Sequence, residues 1–413
     1  MKRVLMIAFH YPPVRGSSGV QRTLSFSRYL LEKGWEPTVL TVSERAFPLT
    51  TDEQLSDIPD GVDVRRAFAF DAIRYFSVFG WHPKMLALPD RWWAWYYSGV
   101  RAAHKVLNEK SFDLIWSTYP IASAHRIGAN IANSSGLPWV ADFRDAMFDE
   151  WFPSGAGRRN WHKAIEEDVF SSASKVVVTT PGTKSMYSQR YANFNNDDIV
   201  CIANGYDERI ISEVELSKPA ARLDKSKISV LHSGILYPDE RDPQSLFQAI
   251  FDLKKEGKIS ANTLEVIFRG SRHDDYYQPI IEGMGIDDII IFKQGIDYRE
   301  ALKEMYAADA LLLLQSSTCN YQVPAKVYEY ARVGKPLLAL TDSNGDTANF
   351  MRSAEYGQIV PLDDSVQIAS GLLQLLEGLK LEELPNSDVV NAYSRKALSE
   401  KLAELLDSVI SNN

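Results

Sequence analysis

The stretch RVLMIAFHYPPVRGSSGVQRTLSFSRYLLEKGWEPTVLTV, Arg3 to Val42, decides the fold class. RVLMIAF is short, apolar and without alternation, which reads as a strand buried on both faces. HYPPVRGSSG is rich in Pro, Gly and Ser and reads as a loop. VQRTLSFSRYLLEKG keeps a helical apolar rhythm through Val20, Leu24, Tyr29 and Leu30, and Gly34 supplies a stop. PTVLTV is the next strand. Strand, loop, helix and strand in this order open a doubly wound sheet.

Working outward, the rhythm recurs. Strands are expected at FDLIWSTYP, LPWVADFRD, SKVVVTT and DIVCIANGYD, with helices at SAHRIGANIANSSG and after Pro181-Gly182. From about Glu208 to Lys227 apolar periodicity fades and charge rises, which reads as a linker. A second series follows, with strands at KISVLHSG, TLEVIFRGS, IIIFKQG, LLLLQSS, KPLLALTD and YGQIVPL. Helices are expected at DPQSLFQAIFDLKKEG and REALKEMYAADA, and from Val366 onward.

The length of 413 residues suits two domains of roughly 200 residues each. The expected boundaries are 1–210, 211–385 and a C-terminal helical piece, 386–413, that returns to the first domain. A formal net charge of -9 argues against broad nucleic-acid binding, which wants a basic face. The two cysteines, Cys201 and Cys319, have no metal-ligand spacing and suit a reducing cytoplasm. The apolar run at the N-terminus is too short for a signal peptide, and no run reaches the roughly 18 apolar residues of a spanning helix.

Residues 67–97 break the rhythm with a dense aromatic run that includes Phe68, Phe79, Trp81, Trp92 and Tyr97. It reads either as an insertion packed on the first domain or as a surface for a sugar or membrane interface. Arg74, Lys84, Arg91, Arg101 and Lys105 punctuate it and favour an anionic membrane or a pyrophosphate nearby.

In open parallel sheets, ligands bind beyond the carboxyl ends of the strands. RGSSG, Arg15 to Gly19, lies there, and its glycines allow a ligand close to the backbone. It is neither a dinucleotide fingerprint nor a P-loop, and an ordinary turn reads equally well. DFRD, Asp142 to Asp145, is either a structural Asp–Arg pair or a cleft wall that recognises hydroxyls and phosphates. HSGILYPDERDPQSL brings Gly234 and Arg241, the arginine being a bidentate phosphate donor or a solvated surface residue. FRGS repeats the strand-to-glycine step at Gly270 and Ser271.

The strongest signal is QVPAKVYEYARVGKPLLAL, Gln322 to Leu340. A lysine near a helix N-terminus, here Lys326, opposes the dipole unless an anion such as a diphosphate sits there. Glu329, one turn later, can accept both hydroxyls of a ribose. The alternative is a surface Lys–Glu pair. GxSxG, HExxH and clustered histidines are absent; His10, His125 and His232 are scattered and read as structural.

Taken in order, these motifs resemble the retaining GT-B glycosyltransferases of family four, over nearly the whole chain. The opening segment, WVADFRD, VTTPG, IANGYD, HSGILYPDERDPQSLFQAI and VPAKVYEYARVGKPLLAL carry the likeness. VADFRD and PAKVYEY are similar to members that build lipopolysaccharide, capsule or exopolysaccharide. The resemblance implies an α/β protein of two Rossmann-like doubly wound domains facing across a cleft. The C-terminal domain would hold a nucleotide diphosphate sugar and the N-terminal one a saccharide or lipid-linked acceptor.

It implies catalytic roles for Arg241 and Lys326. Donor contacts would come from Gly16, Ser17, Ser18, Gly19, Gly234, Gly270, Ser271, Tyr321, Val323 and Glu329. Thr118, Tyr119, Asp142, Arg144 and Asp145 would line the acceptor side or cleft wall. Two departures stand out. Tyr321 occupies the place, eight residues before Glu329, where the family carries a second glutamate. Thr118 and Tyr119 stand where many members carry a histidine. Neither cofactor nor metal is expected, since no Asp-x-Asp site lies at a strand end. The implied reaction is hexosyl or related transfer, on the cytoplasmic side, with peripheral membrane contact as an option. A GT-B epimerase or phosphorylase and a scaffolding subunit of a polysaccharide complex are the alternatives.

Overall fold

The computed structural model describes residues 1–14, 19–77, 84–149, 152–217, 226–238, 241–379 and 384–411. The chain forms two compact units, Met1–Asn204 with Arg395–Asn413, and Gly205–Ser394.

The first unit is built on β1 (Lys2–Ile7), β2 (Trp35–Val42), β3 (Asp63–Ala67), β4 (Leu114–Thr118), β5 (Trp139–Phe143), β6 (Lys175–Val178) and β7 (Ile199–Cys201). They pair in the order β3-β2-β1-β4-β5-β6-β7, all parallel. The second unit holds β8 (Ile228–Ser233), β9 (Leu264–Arg269), β10 (Ile290–Lys293), β11 (Ala310–Leu314), β12 (Leu337–Leu340) and β13 (Gln358–Val360). Its order is β10-β9-β8-β11-β12-β13, again parallel. Both orders place a topological switch beside the first strand of the unit, between β1 and β4 and between β8 and β11.

The local reasons match the sequence patterns. β4, β5, β11 and β12 are buried along their whole length, as strands covered on both faces by helices must be. The helix Gly19–Glu32 stops just before Gly34, whose φ of +80° a side chain would resist. The edge strand β3, DVRRA, escaped the sequence reading because it has no apolar run. It is held by backbone pairing to β2 and by Arg65, which pairs with Asp63 and Glu109.

One expectation is corrected. The segment taken as the start of a linker, Glu208–Leu216, is a helix. The Asp207 carboxylate accepts from the amides of Arg209 and Ile210, and Ile210, Ile211 and Val214 are buried. Glu208 also receives both arms of Arg332 at 2.7 Å, so this helix packs in the second unit. That moves the first boundary from 210/211 to 204/205. The second moves from 385/386 to 394/395, because the helix Ser387–Asn391 packs on the helix Ala325–Val333. The last helix, Arg395–Ser411, lies against the helix Gly19–Glu32, with Lys33 paired to Glu400 at 2.7 Å. In the aromatic segment, Phe79 and Trp81 lie outside the described residues. No helix among the described residues is long and apolar enough to cross a membrane.

Candidate functional site

In the second unit the candidate residues gather at the switch between β8 and β11. The helix Ala325–Val333 starts there, and no side chain caps its first turn. Gln315, just past β11, shapes the approach. Its Nε2 donates to the carbonyls of Cys319 and Gln322, each at 2.9 Å, and its Oε1 accepts from Thr341 and Thr347. The loop carrying half-buried Tyr321 and buried Val323 is thereby held against the sheet.

Lys326 and Glu329 are not a surface pair. Glu329 is 6% exposed, and its Oε1 accepts from the Tyr298 hydroxyl at 2.8 Å. Lys326 forms no ion pair or hydrogen bond among the described residues. Burial pulls its ammonium below the usual lysine range, Glu329 opposes that shift, and Arg241 adds to it. Gly234 makes the lysine's position available, because a Cβ there would stand 2.7 Å from Lys326 Cε. Arg241 stacks its guanidinium 5.4 Å from the Tyr237 ring centroid.

Sequence reasoning read His232 as structural and did not connect it to this site. Its Nδ1 lies 3.0 Å from the Leu312 carbonyl, which makes Nδ1 the protonated nitrogen. Nε2 is buried with no hydrogen-bond partner. Burial holds the ring neutral, with a pKa lowered to about 3; the Leu312 bond opposes this, and Lys326 and Arg241 reinforce it. Its signal was the HSG sequence at the strand end, where a histidine precedes a glycine kept clear for Lys326. Tyr330 was also missed. Its hydroxyl accepts from the Ser233 amide at 3.1 Å and ties the helix to β8. The second unit therefore offers two cations without ion-pair partners among the described residues, a buried carboxylate and an uncapped helix start, a set that can hold an anion and a diol.

Gly270 and Ser271 also have structural tasks. At φ +70°, Gly270 brings its backbone against Gly295, where a Cβ would approach the Gly295 Cα to 3.2 Å. Ser271 donates to Asp274 and accepts from the His273 amide at 3.3 Å, which organises the start of the helix Asp274–Met284.

In the first unit, Gly16, Ser17 and Ser18 lie outside the described residues; Gly19 is buried as the first residue of its helix. Asp142 is fully buried and takes both Arg22 Nε at 3.1 Å and Nη2 at 2.6 Å. Thr118 Oγ1 adds a third bond to it at 2.7 Å. Arg22 also donates to the carbonyls of Ile202 and Ala203. The partner of Asp142 is thus Arg22, distant in sequence, and Asp142 and Thr118 form a closed structural network instead of a ligand wall. Tyr119 is buried, its amide bonded to the Asp142 carbonyl at 3.0 Å. Arg144 is buried and its guanidinium is pulled below the usual range by desolvation, with Asp145 opposing. His10, past β1, is held neutral near 3 by burial and then by Arg144. His10, Arg144 and Asp145 lie just past the ends of β1 and β5. Among the described residues no cluster of His, Cys, Asp or Glu could hold a metal.

Two parallel doubly wound units in one chain, each with its switch point at the first strand, define the GT-B class. Residues 18–209 match the family model Glycosyltransferase Family 4. That segment, most of the first unit, is similar to the glycosyltransferases of family four, and the chain as a whole has the GT-B fold. Its fold is similar to that of a sucrose-phosphate synthase from Thermosynechococcus elongatus, with TM-score 0.71 and 14% identity over 100% of each chain. The N-terminal domain of a Candida albicans trehalose-6-phosphate phosphatase is similar too, with TM-score 0.70 and 15% identity over 99% of this chain and 97% of that one. A UDP-N-acetylglucosamine 2-epimerase candidate from Listeria monocytogenes follows with TM-score 0.59 and 11% identity over 100% and 98%. A search of curated protein sequences finds no match.

Proposed function

We propose that the protein moves a sugar, with retention, from a nucleoside diphosphate sugar to a hydroxyl of a saccharide or lipid-linked acceptor in cell-envelope polysaccharide synthesis. The observation that carries this is the half-buried, unpaired Lys326 one helical turn from the buried Glu329 carboxylate. A cation is desolvated there with no ion pair among the described residues, and Glu329 only partly offsets the cost, which favours a bound anion. Glu329 accepts the ribose hydroxyls, while Lys326, Arg241 and the helix start take the diphosphate. Tyr321 and Val323 border the transferred sugar.

In the reaction the bond from the anomeric carbon to the phosphate oxygen breaks. The bond to the acceptor oxygen forms on the same face, and the acceptor proton leaves with the departing phosphate. Lys326 and Arg241 stabilise the negative charge growing on the diphosphate, so neither an enzyme nucleophile nor a metal is required. The first unit takes the acceptor, with His10, Arg144 and Asp145 closest to its strand ends. Phe68, Tyr75, Phe76, Met85 and Tyr97 are exposed, and Arg101 and Lys105 stand out of the neighbouring helix. This suits a protein on the cytoplasmic side resting against an anionic membrane.

Calorimetric titration of nucleoside diphosphates against wild type and the Glu329→Ala and Arg241→Ala variants tests the site. Absence of binding to the wild type would refute the reading. Transfer of labelled sugar to a lipid-extracted acceptor pool tests the reaction, and co-sedimentation with anionic liposomes tests the membrane contact.

A further inference from the structure

Within the first unit, a cavity of about 230 Å³ opens among the helices Trp95–Glu109, Ala122–Ser135 and Ala156–Ser172. Tyr96, His125, Arg126, Asn130, Asn133 and Asp168 line it. None of them has a part in the reaction described above.

Two of these groups are unsatisfied. His125 is fully buried and its Nε2 has no hydrogen-bond partner. Trp139 Nε1 donates to Ser117 Oγ at 2.8 Å, and Ser117 Oγ lies 2.8 Å from His125 Nδ1. With the indole donor on the serine oxygen, the hydroxyl proton points to Nδ1, and Nε2 carries the remaining proton as an unused donor. Arg126 lies 4.2 Å from the Tyr96 ring centroid and 5.4 Å from that of Trp161. Stacking orients its plane, while its N–H groups have no acceptor among the described residues. Asn130 gives one proton to the Tyr96 hydroxyl at 3.3 Å and keeps its carbonyl oxygen. Asp168 adds an exposed carboxylate.

Charge decides between ligand classes. Arg126 and Asp168 cancel, which disfavours a net anion or cation. What remains is a set of planar guanidinium, amide and carboxylate groups that bind vicinal hydroxyls in pairs, beside aromatic faces that suit C–H surfaces. The volume is below the roughly 300–1,000 Å³ of drug-sized ligand sites and suits one small ring. We propose that this cavity binds one neutral sugar ring of a glycan, separately from the donor. A second grip on the same glycan would raise the effective concentration of acceptor without a new catalytic contact.

Saturation-transfer NMR with the methyl glycosides of glucose, mannose, galactose and N-acetylglucosamine tests this on the full chain, with UDP titration as a parallel fold check. At least one glycoside should show transfer, and Arg126→Ala should weaken it about tenfold while UDP binding is unchanged. Asn133→Ala, at an exposed position, repeats the test if Arg126→Ala fails to fold. The signal should persist in Glu329→Gln. No signal from any glycoside, survival of the signal in both cavity variants, or its loss with Glu329→Gln overturns the proposal and leaves a water-filled cavity. Failure of every nucleoside diphosphate to bind the wild type would refute the donor site without touching this one.

Discussion

The two switch points share one topology and treat charge in opposite ways. At the first, Asp142 and Arg22 bury themselves against each other, and Thr118 and two carbonyls absorb their remaining bonds. At the second, Lys326 and Arg241 have no ion-pair partners among the described residues, and among them nothing bonds to the buried His232 Nε2. The position of a ligand site comes from the strand order. Whether that position binds anything depends on which polar groups the fold leaves unsatisfied.

That contrast can be broken by mutation. The largest effect is expected at the closed network: Arg22→Ala leaves Asp142 buried without its cation and should cost about 3–5 kcal/mol of stability. Denaturant unfolding measures it, and UDP affinity of the folded fraction should be unchanged. At the open site the signs separate. Glu329→Gln should weaken UDP binding by roughly 2 kcal/mol with little change in melting temperature. Lys326→Met should also weaken binding, yet raise stability, because it removes a desolvated charge. Loss of stability in Lys326→Met would show that the lysine is satisfied within the fold.

Acid sharpens the comparison next. His125 in the first unit and His232 in the second have folded pKa values lowered to about 3 from 6.5. The unfolded chain takes up their protons first, so their contribution is full above pH 6.5 and is lost as pH falls towards 3. Each adds a slope of about 1.4 kcal/mol per pH unit in that window. His125→Phe and His232→Phe should each flatten the measured unfolding free energy against pH. The Lys326 shift works at the alkaline end: the folded state releases its proton first, so stability rises with pH through its lowered pKa. The smallest effect is expected for Gly234→Ala, whose methyl displaces Lys326. About 1 kcal/mol of UDP affinity should be lost, together with about 1 kcal/mol of stability, because the φ of +159° strains an alanine.

Much of this was legible in the chain itself. Buried parallel strands are apolar runs, so RVLMIAF, LLLL and PLLAL identify themselves, and Gly34, Gly136 and Gly334 mark helix ends at positive φ. Lys326 and Glu329 stood out because a cation at a helix start opposes the dipole whatever the fold. DVRRA and Glu208–Leu216 did not show, since an edge strand needs only backbone pairing and a short helix can bury three side chains within a charged segment. The close approach of Gly270 to Gly295 was not legible, because a backbone crossing and a ligand approach both call for a small residue.

The sequence by itself determined the two doubly wound halves and the helix that carries Lys326 and Glu329, because apolar period and local dipole chemistry act over neighbouring residues. Only the tertiary structure decided the partners. Arg22 stands 120 residues from Asp142, Tyr298 lies 31 from Glu329, and Leu312 lies 80 from His232. Which charge is satisfied and which is left for a ligand is set by packing that brings distant segments within hydrogen-bond reach, and no local pattern encodes it.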